Sequence, residues 1–223
     1  MNVQALVLDF DGVIADTEPL HFRAFQTVLA GAGYALTPED YAARYLGFDD
    51  ACAFRAVASD QGRPLGDERV AALVALKSRL MDAALAADDV LFAGAAEAVR
   101  SLSAALPLAI ASGALRAEII TVLGRAGLLS SFRAIVAAGE TTEGKPSPEP
   151  YLKAVALLGV SANRSVAVED SRWGLESARA AGLGTIAVTT SYPASALPRA
   201  DLVVPALASV TVECLAAMQL GRR

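Results

Sequence analysis

Short apolar runs that alternate with helical segments fill the second part of the chain, and this alternation constrains the fold more than any other feature. LPLAIASG, FRAIVAAGE, SVAVED and TIAVTT are continuous apolar stretches of the kind that form strands buried on both faces. Between and around them lie helical segments, Leu115 to Arg125, Pro148 to Leu158 and Leu175 to Ala181. Such alternation implies right-handed βαβ units and a parallel sheet. One more run of this type, Val3 to Leu8, stands apart near the start. From Thr17 to about Ala87 no strand-like run occurs. Instead there are two helical stripes, Leu20, Ala24, Phe25, Val28, Leu29 and Val70, Leu73, Val74, Lys77, Leu80, Met81, Ala84, Leu85. Shorter helices are expected around Pro38 to Tyr45 and Asp50 to Gln61. The expectation is therefore an α/β fold: a doubly wound, Rossmann-like parallel-sheet core from residues 1–15 and 88–223, carrying an inserted α-helical cap domain at 16–87.

With 223 residues, 54% of them hydrophobic, the chain can bury a full core. The apolar runs are too short to span a membrane, and the first residues, MNVQALVLDF, lack the cationic lead and cleavage site of a signal peptide, so a cytoplasmic location is the expectation. Cys52 and Cys214 are isolated and have the character of small hydrophobes rather than of metal ligands or a disulfide. The net charge of −5, without a basic block, argues against a nucleic-acid partner. A small anionic substrate stays compatible with these numbers if positive charge is supplied locally, and a monomer is expected.

In an open parallel sheet, ligands bind beyond the carboxyl ends of the strands. The first run ends in Asp9 and Asp11, the second in Ser112 and Gly113, the third leads into GETTEGKPSPEPY with Lys145, and the fourth ends in Glu169 and Asp170. Asp9 and Asp11, two residues apart, share a face of the strand. Each feature has an ordinary structural role available. Ser112 and Asp170 could cap the helices that follow them, which stabilises by ~1 kcal/mol; Lys145 could be a solvated loop charge, and DxDG a turn. Caps and solvated faces have no reason, however, to place an acid pair, a Ser-Gly, a Lys-Pro and a second acid pair on successive strands.

DFDGVIADTE, ASG, GKPSPEPY and VEDSRWG resemble, in that order, the four motifs of the haloacid dehalogenase superfamily. More narrowly they resemble its β-phosphoglucomutase-like and phosphoglycolate phosphatase-like members, whose helical cap is inserted just after the first motif. The resemblance covers nearly the whole chain. The dehalogenases proper lack the second acid of the first motif, so retention of Asp11 points to phosphoryl transfer. The resemblance implies Asp9 as nucleophile and Asp11 as acid/base. It implies Ser112, Gly113 and Lys145 as phosphate holders, and Asp9, Asp170 and the Asp11 backbone carbonyl as Mg²⁺ ligands, with Glu169 behind them.

Elementary electrostatics agrees with those roles. A phosphomonoester brings about −1.5 to −2 charges to a rim already holding four carboxylates, and Lys145 alone cannot offset them, whereas a hard divalent cation can. The expected function is a Mg²⁺-dependent phosphatase that acts on a small phosphorylated metabolite through an aspartyl phosphate. Asp16 opens the hinge into the cap, and Thr17, Glu18 and Pro19 start its first helix. Candidate specificity contacts are His21, the loop with Gly47 and Asp50, Lys77, and Arg116 in the core. A sugar-phosphate mutase is the nearest alternative; its relatives carry arginine, serine and lysine where this chain has Asp50, Ala114 and Leu115. A non-catalytic regulatory module on the same fold is the alternative of another class.

Overall fold

The computed structural model describes residues 2–46, 48–87, 89–197 and 200–218, so Gly47, one of the candidate residues, lies outside the described part. The chain divides into two compact units, Thr17–Asp88 on its own and Met1–Asp16 together with Asp89–Arg223. Among the described residues, no helix is long and apolar enough to cross a membrane.

Strand β1 (Ala5–Leu8) opens the larger unit, with all four residues buried. The chain then leaves for the smaller unit, which is helical. Its first helix, α1 (Glu18–Gly31), buries Leu20, Ala24, Phe25, Val28 and Leu29, the five positions of the first stripe. A single turn, α2 (Pro38–Asp40), starts where Thr37 accepts a hydrogen bond from the Asp40 N–H, and it runs on into a π-helical turn, Tyr41–Tyr45. Asp49 caps α3 (Asp50–Asp60) by accepting from the Cys52 N–H. The long α4 (Asp67–Ala87) buries Val70, Leu73, Lys77, Met81 and Leu85. Phe25, Val28, Leu29, Tyr34, Tyr41, Phe54 and Leu73 meet in one core, with Phe25 and Phe54 edge to face at 5.1 Å.

Back in the larger unit, α5 (Ala95–Ala105) leads to β2 (Leu108–Ala111) and α6 (Arg116–Arg125), then to β3 (Phe132–Val136) and α7 (Glu149–Leu158). There follow β4 (Ser165–Glu169), α8 (Arg172–Ala180), β5 (Gly184–Val188), β6 (Leu202–Val204) and α9 (Val212–Ala217). All six strands are parallel, in the order β3-β2-β1-β4-β5-β6. Small residues let α7 and α8 lie close on one sheet face: Ala109, Ala111, Ala154, Ala167 and Ala178 share a core with Val7, Val136 and Tyr151. Strand order reverses at β1, with β2 on one side and β4 on the other, and a crevice opens at such a switch point. The sequence expectation lacked β6, α5 and α9. β6 is a three-residue edge strand, below the length at which an apolar run stands out.

Candidate active site

The loop after β1 is tied tightly to itself. The Phe10 carbonyl accepts from the N–H groups of Ile14 and Ala15, at 2.9 and 3.0 Å, and Gly12 donates to the Ala15 carbonyl. Gly12 holds φ 73°, a conformation costly for other residues. Space adds a second demand there, because a Cβ on Gly12 would lie 1.9 Å from Asp170 Oδ2. The glycine of DFDG thus lets the carboxylate beyond β4 press against the backbone of the β1 loop. Asp11 stands in this loop, directly before Gly12, and its backbone bridges to Ala15.

Lys145 is the cationic centre of the site. Its Nζ lies 2.9 Å from Asp9 Oδ2 and 2.5 Å from Glu169 Oε1, and the side chain is almost buried. The loop that carries it is held from within, since the Glu149 carboxylate accepts from the N–H groups of Thr142 and Glu143 at 2.9 and 2.8 Å. Asp9 Oδ1 accepts from the Phe10 N–H at 2.7 Å. Glu169, fully buried, is saturated: besides Lys145 it accepts from the Tyr151 hydroxyl at 2.7 Å and from Ser171 Oγ at 3.0 Å. A Cβ on Gly174 would sit 1.8 Å from Glu169 Oε1, so that glycine makes room for this carboxylate.

Charge is unbalanced here. One oxygen from each of Asp9, Glu169 and Asp170 falls within 4.8 Å of the others, and all three residues are buried. Burial, with Glu169 close by, pushes the Asp9 carboxyl up to about 7, and the same two causes push Asp170 up to about 7. Burial also acts on Glu169, but the Lys145 ammonium and the donors around it outweigh burial and hold that carboxyl low. Lys145 is pushed the other way from what burial favours, kept charged by Asp9 and Glu169. When all three are ionised, the carboxylates exceed the one ammonium by two negative charges in a buried space. Oxygen donors with that excess suit a hard divalent cation, so the residues present fit the metal that the motifs imply.

At β2 the Ser112 N–H donates to the Val136 carbonyl and Ser112 Oγ accepts from the Ala114 N–H at 3.1 Å. Gly113 is exposed beside it. α6 begins only at Arg116, so Ser112 closes a turn rather than capping the helix. The cap of α8 is Ser171, whose Oγ accepts from the Gly174 N–H; Asp170 does not cap it.

Four candidate residues, Arg116, Asp50, Lys77 and His21, are engaged with neighbouring protein groups. Arg116 is committed to Glu140 through Nε at 2.5 Å and a second bond at 2.8 Å, and it also donates to the Ile135 carbonyl. Asp50 is not an unopposed negative charge, because Lys77 Nζ lies 2.5 Å from its Oδ1. Lys77 itself is only 1% exposed; its Nζ also meets His21 Nδ1 at 2.9 Å and sits 4.1 Å from the Phe25 ring centre. Burial, then Lys77, pushes the His21 imidazole down to about 3, which keeps it neutral. His21, Asp50 and Lys77 therefore form one paired cluster inside the helical unit.

Sequence reasoning missed Tyr151, Ser171, Thr190 and Ser191. The tyrosine had a visible signal, as the last residue of GKPSPEPY. The pair after β5 had none: Thr190 Oγ1 donates to the Gly12 carbonyl and Ser191 Oγ donates to Asp170 Oδ2, contacts that only the fold brings together.

The chain is similar to known proteins in sequence and in fold. CbbY of Rhodobacter capsulatus is 32% identical over 227 residues, covering 96% of this chain and 98% of that protein. A phosphorylated carbohydrates phosphatase of Thermotoga maritima is 31% identical over 195 residues, 82% of this chain and 84% of its own length. The crystal structure of CbbY from Rhodobacter sphaeroides in complex with phosphate superposes with a TM-score of 0.84 at 27% identity, covering 96% of this chain and 99% of that one. The model of the haloacid dehalogenase-like hydrolases matches residues 6–188, a span that takes in all four rim motifs, and the chain belongs to that family.

Proposed function

We propose that this chain is a Mg²⁺-dependent phosphatase of a small phosphorylated carbohydrate or similar phosphomonoester, acting through an aspartyl phosphate on Asp9. The observation that carries the reading is the buried Lys145 between Asp9 and Glu169 with Asp170 alongside, an anionic cluster two positive charges short of balance. The phosphatase from Thermotoga maritima and the phosphate-bound CbbY structure support the substrate class.

Asp9, Asp170 and the Asp11 backbone carbonyl would hold the Mg²⁺, which supplies charge neutralisation for the incoming phosphate. Lys145 and Ser112, with backbone N–H groups of the Ser112–Ala114 turn, hold the phosphoryl oxygens. Asp9 attacks phosphorus in line; the bond to the leaving oxygen breaks as Asp11 gives that oxygen its proton. Water then attacks the aspartyl phosphate, its proton passes to Asp11, and inorganic phosphate leaves with Asp9 restored. Glu169 acts by positioning Lys145, since its own oxygens are occupied by Lys145, Tyr151 and Ser171.

Hydrolysis is favoured over isomerisation because a mutase must hold a second anionic group in place of water. Where mutases carry serine and lysine, this chain has Ala114, which is buried, and Leu115, which is exposed and apolar. Asp50 takes the arginine position and occupies the charge of Lys77. The test is a phosphate-release screen over sugar phosphates, phosphoglycolate and nucleotides with Mg²⁺ and with chelator. ³¹P NMR with and without a sugar bisphosphate follows isomer and inorganic phosphate together. Metal-dependent phosphate release without isomer is expected; rapid bisphosphate-dependent isomerisation, or full activity in chelator, overturns the reading.

A further inference from the structure

Strand β5 ends at Val188, and the chain continues in register for one more residue, with the Thr189 N–H donating to the Val204 carbonyl of β6. The next two side chains turn toward the switch point. Thr190 Oγ1 donates to the Gly12 carbonyl in the β1 loop, and Ser191 Oγ donates to Asp170 Oδ2 beyond β4. A Cβ placed on Gly12 would lie 1.9 Å from Asp170 Oδ2 and 2.7 Å from Ser191 Oγ. Carboxylate, hydroxyl and loop backbone thus converge on one point, and two adjacent residues of a third segment hold both partners there.

We infer that Ser191, seconded by Thr190, is a positioning residue for the metal centre: it fixes the Asp170 carboxylate and the β1 loop in the relative geometry a Mg²⁺ ion requires. The inference rests on the assignment of Asp170 as a metal ligand. A carboxylate that accepts a hydroxyl on one oxygen turns less freely than a carboxylate in water, so its ordering is prepaid before the ion arrives. Mg²⁺ demands near-ideal octahedral geometry, which makes it sensitive to such orientation. Ser191 is exposed and its hydroxyl fills no core space, so its removal leaves the packing intact.

Calorimetric titration of Mg²⁺ alone into the wild type, Ser191→Ala and Ser191→Thr tests the inference, with thermal unfolding of the metal-free proteins alongside. Ser191→Ala should weaken Mg²⁺ binding about 10-fold or more, while Ser191→Thr, which keeps the hydroxyl, retains wild-type affinity. Phosphate release by Ser191→Ala should need correspondingly more Mg²⁺ yet reach the wild-type rate at saturation, and metal-free unfolding temperatures should agree to within the few degrees that one hydrogen bond contributes. Unchanged Mg²⁺ affinity in Ser191→Ala overturns the inference, as does a lower metal-free unfolding temperature with affinity intact, the signature of a loop anchor. Absence of Mg²⁺ binding by the wild type would instead remove the metal assignment itself, and this inference with it.

Discussion

Each unit of this molecule buries a lysine against carboxylate and an aromatic ring, and the two lysines serve opposite ends. Lys77 in the helical unit meets one carboxylate, Asp50, one imidazole held neutral, His21, and the face of Phe25. Its charge is matched and the cluster is complete. Lys145 in the core meets two carboxylates, Asp9 and Glu169, with Asp170 a third close by and the Tyr151 ring at 5.3 Å. That cluster is short of positive charge, and burial, with Glu169 close by, pushes two of its carboxyls up to about 7. A balanced buried pair needs no further partner; on the reading proposed above, the unbalanced cluster is completed by a cation and a substrate.

The largest effect should come from Asp9→Asn, which removes the oxygen proposed to attack phosphorus and leaves size and burial alike. Phosphate release is expected to fall about 10³-fold or more, with far-ultraviolet circular dichroism unchanged. Comparable turnover by the folded variant would take the core cluster out of the chemistry.

Next come the two lysines themselves, changed identically. Lys145→Met should cost about 10²–10³ in kcat/KM, the range for a charged group that stabilises a developing anion. Lys77→Met should cost less than about 10-fold in kcat/KM, because its partners Asp50, His21 and Phe25 all belong to the helical unit, while stability falls by up to about 3 kcal/mol as a buried pair with one partly exposed end is broken. Steady-state kinetics with urea unfolding of both variants measures the contrast. Equal activity losses from the two changes would break it, and a rise in KM alone for Lys77→Met would make that lysine a substrate contact.

Much of the core site was legible because its chemistry sits where apolar runs stop. Asp9, Ser112 and Asp170 each follow a strand, and a parallel sheet gathers strand ends at one rim. What was not legible depends on which distant atoms meet. Asp170 beside a helix start has a cap as its ordinary alternative, and which residue caps is decided only in the fold, where the hydroxyl of the next residue, Ser171, takes that task. The partner of Asp50 is not visible in the sequence because Lys77 lies 27 positions away on another helix. Lys77 falls on an apolar stripe, and the stripe gave its burial correctly while hiding the reason. Thr190 and Ser191 touch motifs to which they do not belong.

A smaller effect distinguishes the helical unit by pH. The His21 imidazole is pushed from 6.5 down to about 3, so the folded protein binds its proton less readily than the unfolded chain. The stability this contributes is complete above pH 6.5 and is lost as pH falls from there toward 3, by about 1.4 kcal/mol per pH unit at most, or up to about 2 kcal/mol at pH 5. Urea unfolding at pH 7.5 and pH 5 should show this loss for the wild type relative to His21→Gln. Identical pH dependence in the two proteins would mean that the Lys77 cluster is open to water.

The central claim, that the core cluster is an incomplete phosphoryl site closed by a cation, is tested most directly by ¹⁹F NMR with fluoroberyllate, a tetrahedral anion that bonds a carboxylate oxygen as a phosphoryl group does. The wild type should give bound fluorine resonances only when Mg²⁺ is present, and Asp9→Asn should give none with or without it. Resonances retained in Asp9→Asn, or absent from the wild type with saturating Mg²⁺, would contradict the account.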